Sequence, residues 1–351
     1  MTFNKRLINW FKGNKRDLPW RKTRDPFKIW LSEVILQQTR VDQGMQYYFD
    51  FVNRFEDVHQ LADADEREII KLWQGLGYYS RARNLHAAAQ YVSRDLKGKF
   101  PDTYNDLLKM KGVGKYTAAA VASIAYGEAV PVVDGNVYRV LSRYLGIDTP
   151  INKPQAHKEF THAATELMAG SNPSDFNQAL MEFGALHCTP QNPDCKNCPF
   201  QDECYAFNKG EVKKYPIKTS KTKVKTVYFE YLILLDNEDN LFIKKREHEG
   251  IWKNMYDFPL IESEKKLDAE KLFEHRYMKT LLKEKKLNRY EEPQTTYKHI
   301  LSHRKIFARF HQFYFEGKWD KPEWVKVSKQ QVSDFPLPRL IDKYVHDQDW
   351  A

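Results

Sequence analysis

Apolar positions recur at helical spacing through most of the first 207 residues. The stretch 25–55, DPFKIWLSEVILQQTRVDQGMQYYFDFVNRF, opens on Asp25-Pro26, an N-cap residue followed by proline at the first helical position. Further helical runs are predicted over 63–73, 81–96, 116–126, 136–145 and 155–168, with Gly, Pro and Asn between them. The first twenty residues read as a short, basic, amphipathic helix. Beyond residue 225 the period changes. TVYFEYLILLDNEDNLFIKKRE predicts two strands around an Asp-Asn-Glu-Asp-Asn turn, and KHILSHRKIFARFHQFYFEG another long, partly alternating β run. Between them, 267–287 reads as a Lys/Glu-rich helix. The stretch NKGEVKKYPIKTSKTKVKT joins the two regimes with seven lysines, one glutamate and no apolar period, which predicts a basic, solvated linker. The expectation is a multi-domain chain: an all-α domain over 1–207, a linker over 208–225 and an α+β domain over 226–351.

A chain of 351 residues is long enough for each half to bury its own core. Lys and Arg number 56 against 47 Asp and Glu, a formal charge of +9 that favours an anionic partner, nucleic acid ahead of a membrane surface. A merely basic soluble surface fits the charge equally well. Aromatic residues at 14% tilt the choice toward nucleic acid, because bases stack on rings. No stretch approaches the roughly 20 apolar residues of a membrane span, and the N-terminus lacks the apolar core of a signal peptide. The expected location is the cytoplasm.

Candidate chemistry lies in four places. Cys188, Cys195, Cys198 and Cys204 follow a C-x6-C-x2-C-x5-C spacing, close enough to wrap one metal centre; spacing alone leaves structural zinc and an iron–sulfur cluster both open. Glu33 sits in the apolar run IWLSEVIL, where desolvation raises a carboxyl pKa into the range of a general acid, unless it lies on the polar stripe of an amphipathic helix. Asp134 ends the extended stretch AVPVVD just before a helix, as either a helix cap or the anion that stabilises a sugar cation. In GVGKYTA, Gly112 and Gly114 permit a tight turn whose free amides, with Lys115, suit a phosphate. A P-loop is excluded: Tyr116 stands where Ser or Thr is required, and Lys109 where the first glycine belongs.

Helix–turn–GVG–helix, an aspartate 20 residues after Gly114 and the cysteine spacing together resemble the helix–hairpin–helix DNA glycosylases of the endonuclease III superfamily. Within that superfamily PWR (19–21), SEVILQQTR (32–40), GLGYYSRARNL (75–85) and FNQAL (176–180) are similar to the adenine-specific, A/G-mismatch branch. The resemblance implies an all-α glycosylase domain with a 4Fe-4S cluster on the four cysteines. It makes Glu33 the acid that protonates adenine N7 and Asp134 the carboxylate beside the sugar cation, with Tyr116 and Asn136 as active-site helpers. Arg21 and Gln178 would address the adenine, and Gln38 and Tyr78 would enter the base stack at the lesion. Gly112, Gly114 and Lys115 would contact the DNA backbone. The substrate implied is duplex DNA with adenine opposite 8-oxoguanine or guanine, bound by a monomer associated with the nucleoid.

The second domain resembles the family's Nudix-like module, which inspects the 8-oxoguanine. GIWKNMYDFPL (250–260) echoes a Nudix segment, but the Arg-Glu-x-x-Glu-Glu helix that would hold Mg²⁺ is absent after it. Recognition without pyrophosphate hydrolysis is therefore expected. HILSHRK (299–305) resembles the lesion-reading loop, with Ser302 and His303 as readers and Leu301 where the commoner form has phenylalanine. Competing readings are a bifunctional endonuclease III-type glycosylase/lyase, a non-catalytic iron–sulfur DNA-binding protein and a Nudix hydrolase. The lyase reading requires a lysine at position 116, because a phenol cannot form an imine.

Overall fold

The computed structural model describes residues 1–219, 224–248, 250–301, 303–318 and 321–350. In chain order its helices are α1 (Phe3–Asn14), α2 (Pro26–Ile35), α3 (Val41–Arg54), α4 (Val58–Asp63), α5 (Glu66–Leu72), α6 (Ser80–Gln90), α7 (Tyr104–Leu107), α8 (Lys115–Tyr126), α9 (Gly135–Leu145), α10 (Pro154–Met168), α11 (Pro173–Leu186) and α12 (Tyr205–Asn208). Strands β1 (Lys225–Leu235), β2 (Leu241–Lys245), β3 (Tyr256–Asp257) and β4 (Leu260–Ser263) follow, then α13 (Ala269–Glu274) and α14 (Arg276–Glu284). The chain finishes with β5 (Leu287–Glu291), β6 (Tyr297–Ile300), β7 (Arg304–Phe315), β8 (Val325–Val327) and α15 (Arg339–Asp347). Among the described residues, no helix is long and apolar enough to cross a membrane.

Contacts divide the chain into two compact units. One comprises Met1–Asp63 and Asn84–Ser220, the other Ala64–Arg83 and Lys221–Ala351. The segment 64–83, which the hydrophobic pattern places in the first domain, thus packs with the second unit.

The first unit is all-helical around a core in which α1, α9, α10 and α11 bury Phe3, Leu7, Phe11, Val137, Leu141, Phe160, Phe176, Leu180 and Phe183. The stretch 25–55 is broken at 36–40 into α2 and α3, because Gln38 adopts a left-handed backbone (φ 55°) that no α-helix continues through. Residues 211–217 depart from the expected solvated linker. Tyr215 is buried, Arg143 donates to the carbonyls of Val212 and Tyr215, and Ile151 N–H donates to Ile217 O. The aromatic and β-branched residues of this segment find apolar surface that the surrounding lysines do not advertise.

The second unit holds a mixed sheet in the order β3-β2-β1-β7-β5, with β4 on β1, β6 on β7 and β8 on β2. Strands β1 and β7 run parallel through eleven paired positions, from Lys225 opposite Arg304 to Leu235 opposite Tyr314. That central placement explains the unbroken apolar run YLILL in β1, since an interior strand covered on both faces cannot alternate. Leu232, Leu234, Phe242, Leu272, Met278, Leu281, Phe313 and Phe315 form the core between sheet and helices.

Candidate active site

Helix α2 opens as the sequence predicts, with Pro26 at its first position and the Asp25 carboxylate accepting from Phe27 N–H. Every residue from Ile29 to Ile35 is buried, so the helix has no solvated stripe. Glu33 is therefore 6% exposed and not on a polar face. Helix α8, buried from Thr117 to Ile124, packs against α2 and brings Tyr116 to the carboxyl. The Tyr116 hydroxyl donates to Glu33 Oε2 at 2.5 Å. Burial pushes the Glu33 carboxyl up to about 7; the Tyr116 hydrogen bond and Arg21 pull it down, and the Asp134 charge pushes it up. Near neutral pH the group is thus divided between acid and carboxylate, with the acid form stabilised by the apolar wall.

Asp134 caps α9 and faces the same cavity. Its Oδ1 accepts from Val137 N–H and its Oδ2 from Asn136 Nδ2, both at 2.8 Å. Burial raises its pKa, while the bonds from Val137 and Asn136 oppose that rise by stabilising the anion. Asn136 is itself held by Arg139, whose Nη2 donates to Asn136 Oδ1 and to Gly184 O. Helix α11 crosses α9 at Gly184, where a Cβ would lie 2.7 Å from Asn136 Cβ and 3.0 Å from its carbonyl oxygen. Only glycine admits that approach. Asn177, buried on α11, accepts from Val132 N–H and donates to Val130 O and Ser123 Oγ, fixing the extended stretch that delivers Asp134.

Glu33, Tyr116, Asp134, Asn136, Arg21 and Glu182 line one cavity of about 960 Å³ within the first unit. Glu182, 1% exposed, was not singled out by sequence reasoning. Arg16 donates to it through its backbone N–H, Nε and Nη2, and Arg21 through Nη1 and Nη2. Burial would raise the Glu182 carboxyl, but the Arg16 and Arg21 bonds outweigh it and bring it down to about 2. A folded pKa below the ordinary 4.5 means this pairing stabilises fully above pH 4.5 and is lost as pH falls toward 2. Glu182→Ala leaves two guanidinium groups half-buried without their partner and is expected to cost about 3–5 kcal/mol, read by urea denaturation at pH 7. The only sequence signal for it was a lone carboxylate in the apolar run ALMEFGAL.

Comparison with known proteins identifies the family. Residues 31–166 match the HhH-GPD superfamily of base excision DNA repair proteins, and residues 230–347 match the NUDIX domain. An adenine DNA glycosylase of Buchnera aphidicola (subspecies Baizongia pistaciae) is 31% identical over 353 residues, covering 98% of this chain and 97% of the relative. This chain belongs to the adenine DNA glycosylase family. The human family member is 42% identical over 219 residues, covering 60% of this chain and 40% of its own. A thermostable thymine-DNA glycosylase superposes with a TM-score of 0.55 at 33% identity, over 59% of this chain and 95% of that one. A non-covalent endonuclease III–DNA complex superposes at 0.52 and 22% identity, over 59% and 94%, a likeness of fold.

The other residues implied by the resemblance to this family fall outside the main cavity. Gln178 donates to Ser174 Oγ and lines a small side cavity of about 40 Å³ with Arg21, Glu33 and Met181. Gln38 is exposed in its left-handed turn between α2 and α3. The hairpin between α7 and α8 places Gly112 at φ 76°, where a Cβ would meet the Asn84 side chain at 2.6 Å. Gly114 is the N-cap of α8 and gives its first amides no side-chain cap; both Gly114 and Lys115 are exposed. In the second unit, Tyr78 is 48% exposed at φ 49°, and His303 is exposed between β6 and β7. Ser302 lies outside the described residues.

None of the four cysteines is in a disulfide, and each is partly exposed. Among the described residues no three His, Cys, Asp or Glu side chains are grouped to hold a single metal ion. The sulfurs are nonetheless near enough that Cys198 feels the charge of Cys188, Cys204 and Cys195. Burial pushes Cys198 up to about 12 and raises Cys195 and Cys204 as well, so ionised thiolates here require a positive partner. Arg143 supplies part of that charge, donating to Cys188 Sγ at 3.4 Å and to the carbonyl of Thr189 at 2.7 Å. The donor set fits a thiolate-bound metal centre.

Proposed function

We propose that this chain hydrolyses the N-glycosidic bond of adenine mispaired with 8-oxoguanine or guanine in duplex DNA. The observation that carries the reading is a buried carboxyl at Glu33, which burial disposes to keep its proton up to about pH 7, and a hydrogen-bonded carboxyl at Asp134, both lining one cavity. A flipped adenine in that cavity takes the Glu33 proton at N7 as the C1′–N9 bond breaks, and leaves as the neutral base. The oxocarbenium ion forms beside Asp134, which stabilises it or briefly bonds to C1′. Water then adds at C1′ and returns a proton to Glu33. Tyr116 holds Glu33 Oε2, and Asn136 keeps Asp134 aimed. Arg21 addresses the base from a wall of charge it shares with Arg16 and Glu182, and Gln178 adds a polar contact beside it.

The resemblance and the exposed, left-handed positions of Gln38 and Tyr78 support their entry into the stack, offsetting part of the cost of base flipping. Gly112, Gly114 and Lys115 present amides and charge to a phosphate. The functional division keeps 1–207 as glycosylase domain and 208–225 as linker. Residues 226–351 read the lesion through His303 and Ser302, without Nudix hydrolysis, and the enzyme acts as a monomer on chromosomal DNA in the cytoplasm. A 4Fe-4S cluster on Cys188, Cys195, Cys198 and Cys204 would staple the loop after α11 to α9 through Arg143.

The bifunctional alternative is tested by borohydride trapping on adenine-mispair and abasic duplexes. With Tyr116 at the position a Schiff-base lysine requires, no efficient covalent trapping is expected. Stoichiometric trapping would show a lyase. In the same preparations His303→Ala is expected to erode the preference for 8-oxoguanine over guanine opposite adenine; an unchanged ratio removes His303 as a reader.

A further inference from the structure

The turn that presents Tyr78 is fastened twice, once internally and once to the body of the second unit. Internally, Trp73 Nε1 donates to Gly77 O at 3.1 Å, and Arg81 Nη2 donates to Leu76 O and Gly77 O at 3.3 and 3.1 Å. The Tyr79 hydroxyl accepts from Gly75 N–H at 3.1 Å. Arg81 is buried, its guanidinium 5.0 Å from the Trp73 ring and 5.8 Å from that of Tyr78. The Tyr78 ring therefore projects from a turn whose backbone is already committed.

The external fastening comes from both sides of that turn. Upstream, the Arg67 guanidinium lies 4.2 Å over the Phe335 ring, Lys71 donates to Ser333 O, and Gln74 Nε2 donates to Asp342 Oδ1 at 2.7 Å. Asn254 Nδ2 donates to Glu66 Oε1 at 2.5 Å. Downstream, Arg83 Nη1 donates to Lys253 O at 2.8 Å. Residues 66–83 thus seat on the loop after β2, the segment before α15 and α15 itself. A side chain pushed into a base stack must resist being pushed back, and a loop without such seating yields.

We infer that the Nudix-like domain positions Tyr78 through Arg67, Gln74 and Arg83, which makes these three specificity-determining positioning residues for the mispair. The inference rests on the reading of Tyr78 as a stack-entering residue. Its consequence is that the domain assigned to lesion reading also sets the stiffness of the wedge, so the two act as one element.

The test uses the full-length protein, single-turnover adenine release opposite 8-oxoguanine and guanine, and fluorescence of 2-aminopurine placed beside the mispair as a measure of unstacking. Tyr78→Ala is expected to lower the 8-oxoguanine/guanine rate ratio about tenfold and to abolish the fluorescence rise. The combined Arg67→Ala, Gln74→Ala variant is expected to reproduce both effects and to add nothing when Tyr78→Ala is already present. Asp342→Ala is expected to follow it in part, while Asp342→Asn, which still accepts from Gln74, retains the ratio. If Tyr78→Ala acts but the anchor variant leaves both readouts unchanged, or its loss multiplies with that of Tyr78→Ala, the positioning role is overturned and the wedge stands. If Tyr78→Ala itself changes neither readout, the wedge reading fails and the inference falls with it.

Discussion

Glu33→Gln is expected to abolish adenine release, lowering the single-turnover rate by about 10²–10⁴-fold, in a protein that remains folded. The amide has nearly the shape of the acid and still accepts from the Tyr116 hydroxyl, so the cavity survives; what is lost is the proton for N7. The pH dependence separates this from misfolding. Glu33 must be protonated to act, and its folded pKa is about 7, so the parent rate should fall as pH rises through about 7. The variant's residual rate should lack that limb. Stability carries the same sign. The folded state binds the proton more tightly than an ordinary carboxyl of pKa 4.5, so parent stability declines as pH rises from 4.5 to about 7. Glu33→Gln should lose that slope. A variant that keeps the rate limb near 7 would assign the acid to another group.

Asp134→Asn is expected to slow release by at least about 10²-fold, the scale on which a single aimed charge or dipole acts at a developing ion. Asparagine caps a helix as well as aspartate does, so the Val137 bond and the start of α9 should survive. The loss should then appear in the rate of base release and not in affinity for the mispaired duplex at fixed salt. Asp134→Ala is the contrasting case. It removes charge and cap together, adding about 1 kcal/mol of destabilisation that a melting curve detects. Equal melting loss in both variants would mean that the asparagine cap is not made, and that the rate comparison reports on α9 and not on charge.

These two residues show what could be read before the fold was known. Glu33 stood out because a carboxylate interrupts an apolar run, and its burial follows from a helix with no solvated stripe. Asp134 offered two readings, cap and anion, and the structure makes it the cap while lining the cavity with its carboxyl. The break at Gln38 was not legible, since the apolar pattern of 25–55 runs on through a backbone that turns left-handed. Arg139, Asn177 and Glu182 were missed for a different reason. Arg139 and Asn177 are polar residues inside otherwise ordinary helices, Glu182 is a carboxylate in an apolar run like that of Glu33, and each has a decisive partner 45 to 166 positions away in the chain. Segment 64–83 was assigned to the first domain because its helical period matches its neighbours; the ties to Phe335, Asp342 and Lys253 are side-chain contacts that periodicity does not encode.

The central claim is removal of adenine from a particular mispair, and single-turnover release of adenine from duplexes with adenine opposite 8-oxoguanine, guanine or thymine tests it most directly. Release is predicted from the first two, fastest opposite 8-oxoguanine, with intact strands before alkali and negligible release opposite thymine. No release of adenine opposite 8-oxoguanine by protein carrying its metal centre would contradict the account.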